Sequence, residues 1–521
     1  MFFKLLWRKL ENFGIGILFA MQHRSKEIFM TQAPSPRFPF FSLAPRIRIL
    51  HFSWVAFFVS FVVWFNHAPL MAAIRDSFGL SKQEVAALLI LNVALTIPAR
   101  ILVGILVDKL GPRLMFASLL AISGVICLGF AFSQNYTQLA LSRFLLGFVG
   151  AGFVVGIRII GEWYPAREAG LAQGLYAGLG NFGSAAAAAT LPALAASFGG
   201  PEGWRWAIAT TGIMAIIYSA IYYIYVTDMP KGSTYFSPKK LGAMEVTSKG
   251  DFVLYCIMQA PIAGTLALLA YKLSPAALNI LSSATASIIY VLLAGLYAVQ
   301  LYDTWRINKS VFTKPVAALH AYKFRQVAVL DFVYCITFGS ELAVVSILPL
   351  LFKDVFGLSL PLAGFLGASF GLTTFFARPI GGYLSDKFGR RRILAICLAG
   401  TAIGYYAMSN MGVASGVVFA VAATFFCSLF VNAGNGAVYA MLPMIKRRLT
   451  GQIAGMVGAF GNVGGVVFLT IYASFDAQTL FLAAAIGSAL ALAFVWLFIE
   501  DPKGQIAEEM PDGSIALIDV T

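Results

Sequence analysis

One stretch of this chain occurs twice, and each copy places an arginine inside an apolar segment. The first copy, ARILVGILVDKLGPR, occupies residues 99–113, and the second, ARPIGGYLSDKFGRR, occupies residues 377–391. An ungapped alignment of the two copies matches Arg100 with Arg378 and keeps the turn D-K-x-G-x-R. A charged side chain at the centre of a bilayer costs about 2.5–3.5 kcal/mol on insertion scales. Any fold proposed for this chain therefore has to explain a duplicated arginine.

The composition is that of an integral membrane protein. Of the 521 residues, 59% are hydrophobic and only 12% are charged, with a mean hydropathy of +0.82, whereas soluble domains carry about 25% charged residues. The net charge of +14 comes from short loops between apolar runs, the pattern of cytoplasmic loops in membrane proteins, and this argues against nucleic acid as a partner. The five cysteines and four histidines show no metal-ligand spacing, so neither a metal site, a cofactor nor a disulfide is expected.

Apolar runs of helical length predict fourteen membrane-spanning helices in groups of six, two and six. The runs lie at about 53–73, 84–107, 114–133, 137–160, 169–197, 206–227, 251–271, 277–303, 326–352, 359–385, 391–410, 413–443, 451–474 and 478–499. The offset between the two arginines carries the second span of the first group onto the second span of the last group. The fold class is therefore all-α, with two homologous six-helix halves and two extra central helices that we expect on the outside of the core.

This division predicts five regions and an orientation. The regions are an extension at 1–50, a six-helix half at 51–228, a linker with two helices at 229–325, a second half at 326–500 and a tail at 501–521. The extension has an apolar run of only about ten residues, too short to cross a bilayer, and Met30 is an alternative start. Basic loop residues cluster on one side, so both termini should be cytoplasmic in a plasma or inner membrane. We expect the polar tail to be disordered.

Two six-helix halves with a D-K-x-G-x-R turn after the second helix of each resemble the major facilitator superfamily. The run RFLLGFVGAG, which begins at Arg143, is similar to an arginine and glycine signature of that superfamily. A second repeat narrows the resemblance, because AGLGNFG at 177–183 and GAFGNVGG at 458–465 place Asn181 and Asn462 almost as far apart as the two arginines. Paired G-N-x-G elements together with one arginine in each half resemble the nitrate/nitrite porter family.

The resemblance implies a monomeric secondary transporter in which Arg100 and Arg378 hold nitrate or nitrite. It also implies that Phe153, Tyr334 and Phe338 enclose the anion between aromatic rings. The two glycine-rich helices that carry Asn181 and Asn462 would pack beside the arginines, and the asparagines contact the substrate or fix the arginines. Packing alone remains an alternative explanation for these helices.

The residues themselves also favour an oxyanion site. A planar guanidinium can give two parallel hydrogen bonds to the oxygens of an anion, and nitrate is planar and singly charged. The alternative is that each arginine is neutralised by a carboxylate from a neighbouring helix, which leaves the repeat unexplained. Asn432 and Asn435 in the tenth span of the two halves could line the same cavity or simply bond neighbouring helices.

Glu341 is the first candidate for proton coupling. It follows Tyr334 by seven residues and Phe338 by three, so the three side chains share one helical face. Uptake of an anion against an inside-negative potential needs coupling to protons or to a counter-anion. The family resemblance implies that exchangers need no such acid, so Glu341 favours proton symport over exchange. The alternative is a carboxylate that only pairs with Arg378. His67 in the first span is a second titratable candidate, with a packing role as its alternative.

The charged turns are candidates for gating. Asp108 and Arg113, with Asp386 and Arg391, should lie at the cytoplasmic mouth, where contacts between the halves break and re-form. The alternative is that these charges only set the orientation of the chain in the membrane.

Other classes of protein are not favoured by the sequence. It contains no nucleotide-binding P-loop, no catalytic triad and no metal cluster, which argues against an enzyme or an ATP-driven pump. The sequence contains no recognisable signalling domain, which argues against a nitrate sensor. The alternatives that stay open are a nitrate/nitrite antiporter and a carrier for another small anion.

Overall fold

The structure is a computed structural model of the chain. It describes residues 41–42, 44–164, 166–230, 243–276, 279–313, 321–446, 449–501, 505–509 and 515–519, except for the side chains at 101, 108, 166–170, 443, 450–451 and 505–519. The chain divides into two units, Met1–Arg48 and Ile49–Thr521, and the account below concerns the second. Most of the predicted extension falls outside the described residues, as do some of the basic loop residues on which the predicted orientation rests: Lys231, Lys239, Lys240, Lys314, Arg447 and Arg448.

Nine helices form the first half of the described chain. They are α1 (Pro45–Phe65), α2 (Met71–Phe78), α3 (Lys82–Ala94), α4 (Thr96–Leu110), α5 (Pro112–Ala131), α6 (Tyr136–Leu146), α7 (Gly152–Trp163), α8 (Ala166–Phe198) and α9 (Gly203–Tyr225). Short 3₁₀ turns at Ala68–Leu70 and Gly147–Ala151 connect α1 to α2 and α6 to α7. These nine helices make six spans, because α1 and α2, α3 and α4, and α6 and α7 each form one interrupted span.

The insert and the second half follow. The insert contains α10 (Lys249–Leu273) and α11 (Ser283–Asn308). The second half contains α12 (Phe324–Phe356), α13 (Leu360–Gly367), α14 (Ser369–Leu372), α15 (Thr374–Phe388), α16 (Arg390–Ser409), α17 (Gly416–Ile445), α18 (Thr450–Ser474) and α19 (Ala477–Phe498). Here α13, α14 and α15 together make one interrupted span, the counterpart of α3 and α4.

Each repeated arginine lies just after the interruption of its span. Helices α4 and α15 are both 15 residues long, and Arg100 and Arg378 are the fifth residue of each. Both helices end before a glycine with positive φ, Gly111 at 81° and Gly389 at 98°, a backbone conformation that glycine adopts without steric cost. The duplicated sequence therefore folds into a duplicated local structure.

Two seams join the halves. Helix α8 of the first half packs against α13, α14 and α15, and α18 of the second half packs against α3 and α4. The insert helix α10 packs on α3, α12 and α18, while α11 packs mainly on α10. Only 22% of the apolar window in α10 and 6% of that in α11 is buried, so the insert lies on the outside of the bundles, as the sequence predicts.

Thirteen helical segments of the described chain are long and apolar enough to cross a membrane. The sequence predicts fourteen, and the difference lies at α8, a 33-residue helix rich in glycine and alanine that is not among the thirteen. The expectation of a disordered tail is wrong for its described part, because Gln505–Glu509 and Ile515–Asp519 pair as an antiparallel hairpin. The backbone pairs Gln505 with Asp519 and Glu509 with Ile515 at the two ends of the hairpin.

Candidate functional site

The two repeated arginines, distant in sequence, lie against the same aromatic ring. Arg100 and Arg378 are buried, with 7% and 6% of their surface exposed. The Cζ atom of Arg100 lies 6.0 Å from the ring centroid of Phe338, and the Cζ atom of Arg378 lies 5.3 Å from it. A guanidinium at this distance from a ring is attracted by the ring's quadrupole. The structure thus brings together one arginine from each half at Phe338 of α12.

Arg378 is surrounded by a carboxylate and two amides. Its Nη2 donates to Oε2 of Glu341 at 2.6 Å, and its Nε donates to Oδ1 of Asn432 at 3.3 Å. Asn181 of α8 is oriented with its amide oxygen toward the guanidinium, because the opposite orientation would face the amide nitrogen with donors. In this orientation Oδ1 of Asn181 accepts from Nη1 at 2.5 Å and from Nη2 at 3.1 Å. Asn435 donates to the same Glu341 oxygen at 2.7 Å.

Arg100 has a different environment, without a carboxylate partner among the described residues. Its Nη1 donates to the backbone oxygen of Gly458 at 2.6 Å, and its Cζ lies 5.4 Å from the ring centroid of Phe153. The amide nitrogen of Asn462 donates to the same Gly458 oxygen at 2.9 Å. The Nε of Arg100 is buried without a hydrogen-bond partner in the described part of the chain. Arg100 therefore keeps a donor that a ligand could use.

The contacts of the two glycine-rich helices are crossed. Asn181 of the first half contacts Arg378 of the second, and Gly458 of the second half contacts Arg100 of the first. A Cβ atom on Gly458 would lie 2.8 Å from Nη1 of Arg100, closer than a real Cβ comes to a polar atom, so a side chain would displace the guanidinium. Each G-N-x-G element thus approaches the arginine of the opposite half.

A second pair of glycines in these helices permits close packing. A Cβ atom on Gly183 would lie 2.3 Å from the backbone oxygen of Phe58, and one on Gly464 would lie 2.0 Å from that of Cys335. Only glycine therefore allows α8 to lie against α1 and α18 against α12 at these distances, as small residues do in membrane helix pairs. Packing therefore accounts for these two glycines, and the asparagines of the same helices make the polar contacts described above.

The aromatic residues at the site are joined by one residue that the sequence reasoning missed. The rings of Tyr334 and Phe338 stack with centroids 4.9 Å apart. Tyr439 of α17 packs edge-on against Tyr334 at 5.2 Å and against Phe153 at 5.8 Å, so it bridges the two halves. Tyr439 follows Asn435 by four residues on the same helical face, and this spacing could have revealed it.

Neutralisation by a carboxylate, the alternative explanation for the two buried arginines, is observed for one of them. Glu341, 4% exposed, does pair with Arg378, so the predicted shared face and the predicted ion pair are both observed. Arg100 is not neutralised in this way among the described residues. The carboxylate alternative therefore accounts for one arginine and leaves the other unexplained.

His67 is not brought to the arginines by any recorded contact. It is fully buried beside a polar network in the first half, where it interacts electrostatically with Arg143. Arg143 of α6 donates to Oδ1 of Asn92 at 2.6 Å and to Oδ1 of Asn66 at 3.1 Å. These neutral partners tie α6 to the first and second spans, which assigns Arg143 to the structure of its own half.

The charged turns make contacts within each half. The backbone N–H of Arg113 donates to Asp228 at 2.7 Å, and that of Arg391 donates to Asp501 at 2.9 Å. The Arg113 guanidinium lies over the ring of Tyr223, and that of Arg391 lies over the ring of Trp496. Asp386 pairs with Arg390 one turn away at 2.9 Å. The side chain of Asp108 lies outside the described residues.

These contacts tie each turn to the end of the last helix in its half. The expected contacts between halves are not among those recorded for Arg113, Asp386 and Arg391, because each of these residues is held by a partner close by in its own bundle. Their role in gating stays a prediction.

The described residues contain no group of three or more histidine, cysteine, aspartate or glutamate side chains that could hold a metal ion. The five cysteines are unpaired, and three of them are buried. The chemistry that the arrangement offers is therefore electrostatic: two guanidiniums, one carboxylate and four aromatic rings at a junction of the halves.

One family model and several curated proteins match this chain. The family model of the Major Facilitator Superfamily matches residues 53–312 and 330–518. A nitrate/nitrite transporter of Nostoc punctiforme is 43% identical over 90% of this chain and 95% of its own length, and one from Picosynechococcus is 41% identical over 82% and 84%. A probable nitrate/nitrite antiporter of Thermus thermophilus is 37% identical over 31% of this chain and 38% of its own length.

Solved structures share the fold at low sequence identity. A partially occluded inward-open structure of the xylose transporter XylE from E. coli superposes with a TM-score of 0.59 at 15% identity, covering 88% of this chain and 99% of that one. The human organic anion transporter MFSD10 superposes with a TM-score of 0.56 at 12% identity, over 87% and 99%. The chain therefore belongs to the major facilitator superfamily of membrane transporters and, within it, to the nitrate/nitrite porter family.

Proposed function

We propose that this protein is a secondary active transporter that takes up nitrate, nitrite or both by alternating access, coupled to protons. The observation that carries the proposal is the meeting of Arg100 and Arg378 at Phe338, one buried cation from each half. A site made from both halves is the arrangement that transporters with repeated bundles use, since rocking of one half against the other exposes it to either side. The curated relatives described above are named as nitrate/nitrite transporters.

The charges support a small monovalent anion as the substrate. Two guanidiniums and one carboxylate leave a net positive charge at the junction whether Glu341 is ionised or protonated, and this charge favours an anion. Arg100 and Arg378 would each offer their N–H groups to the oxygens of the anion. Phe153, Tyr334, Phe338 and Tyr439 would enclose its faces, and Asn181 and Asn462 would fix the arginines.

Glu341 supports coupling to protons, because it occupies the N–H group of Arg378 that an anion would use. The 2.6 Å contact between Oε2 of Glu341 and Nη2 of Arg378 places the carboxylate in competition with the substrate. Protonation removes the charge that holds Glu341 on Arg378, so the anion and the proton would bind together. Loss of the proton on the cytoplasmic side would return Glu341 to Arg378 and expel the anion.

The orientation of the chain follows from its loops. Basic residues concentrate at the end of the molecule that carries Arg113 and Arg391, and the positive-inside rule makes that end cytoplasmic. Both termini would then face the cytoplasm, with the protein in the plasma or inner membrane and active as a monomer. Asp108, Arg113, Asp386 and Arg391 would act at the cytoplasmic mouth.

Transport in proteoliposomes tests this proposal. The purified protein is reconstituted, and uptake of labelled nitrate and of labelled nitrite is measured under an imposed pH gradient or with trans-loaded anion. We expect an acidic outside to drive accumulation of at least one of the two anions. If trans-loaded nitrite drives nitrate uptake while the pH gradient has no effect, the protein is an antiporter and the coupling proposal fails. If neither anion moves while another small anion does, the substrate proposal fails.

A further inference from the structure

A third internal repeat lies at the other ends of the first spans. Residues 75–81 read RDSFGLS and residues 353–359 read KDVFGLS, and the alignment that matches Arg100 with Arg378 also matches Asp76 with Asp354. Gly79 and Gly357 of the repeat end α2 and α12 in the left-handed conformation, with φ of 63° and 65°. The two copies thus fold alike, and each places a basic residue next to an aspartate in the last turn of its helix.

The charged pairs of this repeat are bound across the two halves. Arg75 Nη1 lies 2.6 Å from Oδ2 of Asp354, and Lys353 Nζ lies 3.4 Å from Oδ2 of Asp76. The Nε of Arg75 also lies 3.1 Å from Oδ1 of Asp76, which joins the two ion pairs into one network. We call these four residues the outer latch. Each basic residue in it pairs with the aspartate of the other copy.

A hydrogen bond to the backbone reinforces the same junction. Lys82, at the start of α3, donates to the backbone oxygen of Phe475, just after α18, at 2.9 Å. A cavity of about 360 Å³ lies beside the outer latch and is lined from both halves, by Ser77, Trp204 and Pro361 among others. The latch therefore closes one end of the interface between the halves, the end opposite the D-K-x-G-x-R turns.

We propose that the outer latch is the external gate of the transporter, and that its two repeat-related ion pairs must both break before the site opens outward. The inference rests on the alternating access of the proposed function and not on the identity of the anion. Because the pairs are crossed, moving one half away from the other separates both at once. At the opposite end, the contacts given above for Arg113 and Arg391 lie within their own halves.

The outer latch should favour the outward-closed state only weakly. Its side chains are 29–57% exposed, and exposed ion pairs contribute little individually because water and salt screen them. Breaking one pair should change the ratio of outward-open to outward-closed molecules by about two- to five-fold. High salt should act in the same direction as the mutation.

Distance measurements between spin labels test the gate directly. The labels are attached at Ser197→Cys and Val413→Cys, exposed positions at the outer end of each half, in a chain whose native cysteines are replaced. We expect Asp354→Asn and Arg75→Gln to enrich the longer distance about two- to five-fold, and the charge exchange Arg75→Asp with Asp354→Arg to restore the original distribution. The matched control is Glu202→Gln, which neutralises an exposed pair with Arg205 within one half at the same end.

The outcomes separate this inference from the proposed function. Unchanged distances in both single variants overturn the latch, whatever the transport assays give. An equal change in Glu202→Gln overturns it as well, because a general loss of surface charge would then explain the result. If the latch variants shift the distances while the unaltered protein moves neither nitrate nor nitrite, the gate stands and the substrate proposal falls.

Discussion

The two halves of this molecule repeat the same sequence signals but do not surround their arginines in the same way. Arg378 is bound to a buried carboxylate and two amide oxygens. Arg100, its counterpart in the first copy of the repeat, is bound to one backbone oxygen and lies over two aromatic rings. The repeat therefore specifies where the cations lie, and the residues around them decide how each charge is balanced.

This difference assigns the titratable group to one half. An arginine held by backbone and rings keeps its charge at any pH near neutrality, so Arg100 offers a constant cation. Arg378 shares its charge with Glu341, and protonation of that carboxylate changes what it offers. Under the proposed proton coupling, this asymmetry places the titrating group beside Arg378.

The largest expected effect is on stability, when each arginine is replaced in turn. Arg378→Gln leaves the buried Glu341 without its cation, and such a loss costs about 3–5 kcal/mol. Arg100→Gln removes a buried charge that has no carboxylate partner among the described residues, so stability should be unchanged or higher. Thermal unfolding of the purified variants in detergent measures both. Arg378→Gln combined with Glu341→Gln should recover most of the loss, and equal destabilisation by the two single variants would contradict the asymmetry.

Changing the shape of each cation while keeping its charge tests the binding role. Arg100→Lys and Arg378→Lys should each weaken nitrate binding about 10- to 150-fold, because hydrogen bonds to charged groups contribute about 1.5–3 kcal/mol and lysine lacks the planar fork. Calorimetric titration with nitrate measures the dissociation constant. The control is Arg205→Lys at the outer surface, which should bind as the unaltered protein does. Near-normal binding by both site variants would refute the anion site.

Much of this site follows from the sequence, because a repeat identifies equivalent positions. Arg100, Arg378, Asn181 and Asn462 were found from offsets alone, and Glu341 from its spacing on one helix. The partners of these residues were not predictable in the same way. That Asn181 contacts the arginine of the other half, and that Asn462 reaches Arg100 only through a backbone oxygen, depends on how the bundles pack.

The partners of the charged turns were not predictable for a similar reason. The sequence places Arg113 and Arg391 at one end of the molecule, but a position at a mouth does not tell whether a partner lies in the same bundle or in the other. The outer latch was overlooked because two adjacent charges at a helix end resemble ordinary loop charge. Its offset, which equals that of the arginines, is the signal that could have revealed it.

Neutralising Glu341 should remove the main difference between the surroundings of Arg100 and Arg378. Glu341→Gln should abolish accumulation of nitrate driven by a pH gradient, while exchange of internal for external anion continues, because exchange needs no net proton movement. The matched control is Asp331→Asn, a second fully buried carboxylate on α12 with no recorded contact to either arginine. Both are assayed in proteoliposomes. Retained proton-driven accumulation in Glu341→Gln would show that the coupling group lies elsewhere.

Replacing Asn181 should weaken nitrate binding more than replacing Asn462, because the two side chains make different contacts. Asn181→Ala removes an amide that accepts from two nitrogens of Arg378, and it should weaken nitrate binding about 10-fold, the lower end of what the loss of a hydrogen bond to a charged group costs, because it acts through the arginine. Asn462→Ala removes a donor to the oxygen of Gly458 and leaves Arg100 its own bond, so about two-fold is expected. Calorimetric titration compares them. A larger effect of Asn462→Ala would mean that it contacts the anion itself.

The smallest expected effect concerns a charge that only the second half carries. Glu500 follows α19 and accepts from Lys323 at 2.7 Å and from Arg325 at 2.5 Å. When Asp228 is aligned with Asp501, the matching position in the first half is Thr227. The hydrogen bond from Lys323, with that from Arg325, holds the pKa of Glu500 below its ordinary value.

A lowered pKa in the folded state gives stability that is present above the unfolded pKa of about 4.3 and is lost as the pH falls through the folded value. The side chain is 47% exposed, so the contribution should stay below about 1 kcal/mol. Glu500→Gln should therefore lower the unfolding temperature slightly at pH 7, and the difference from the unaltered protein should shrink as the pH falls through the folded pKa. A difference that persists unchanged at acidic pH would mean that Glu500 acts through packing, and the extra charge of the second half would then be unrelated to its stability.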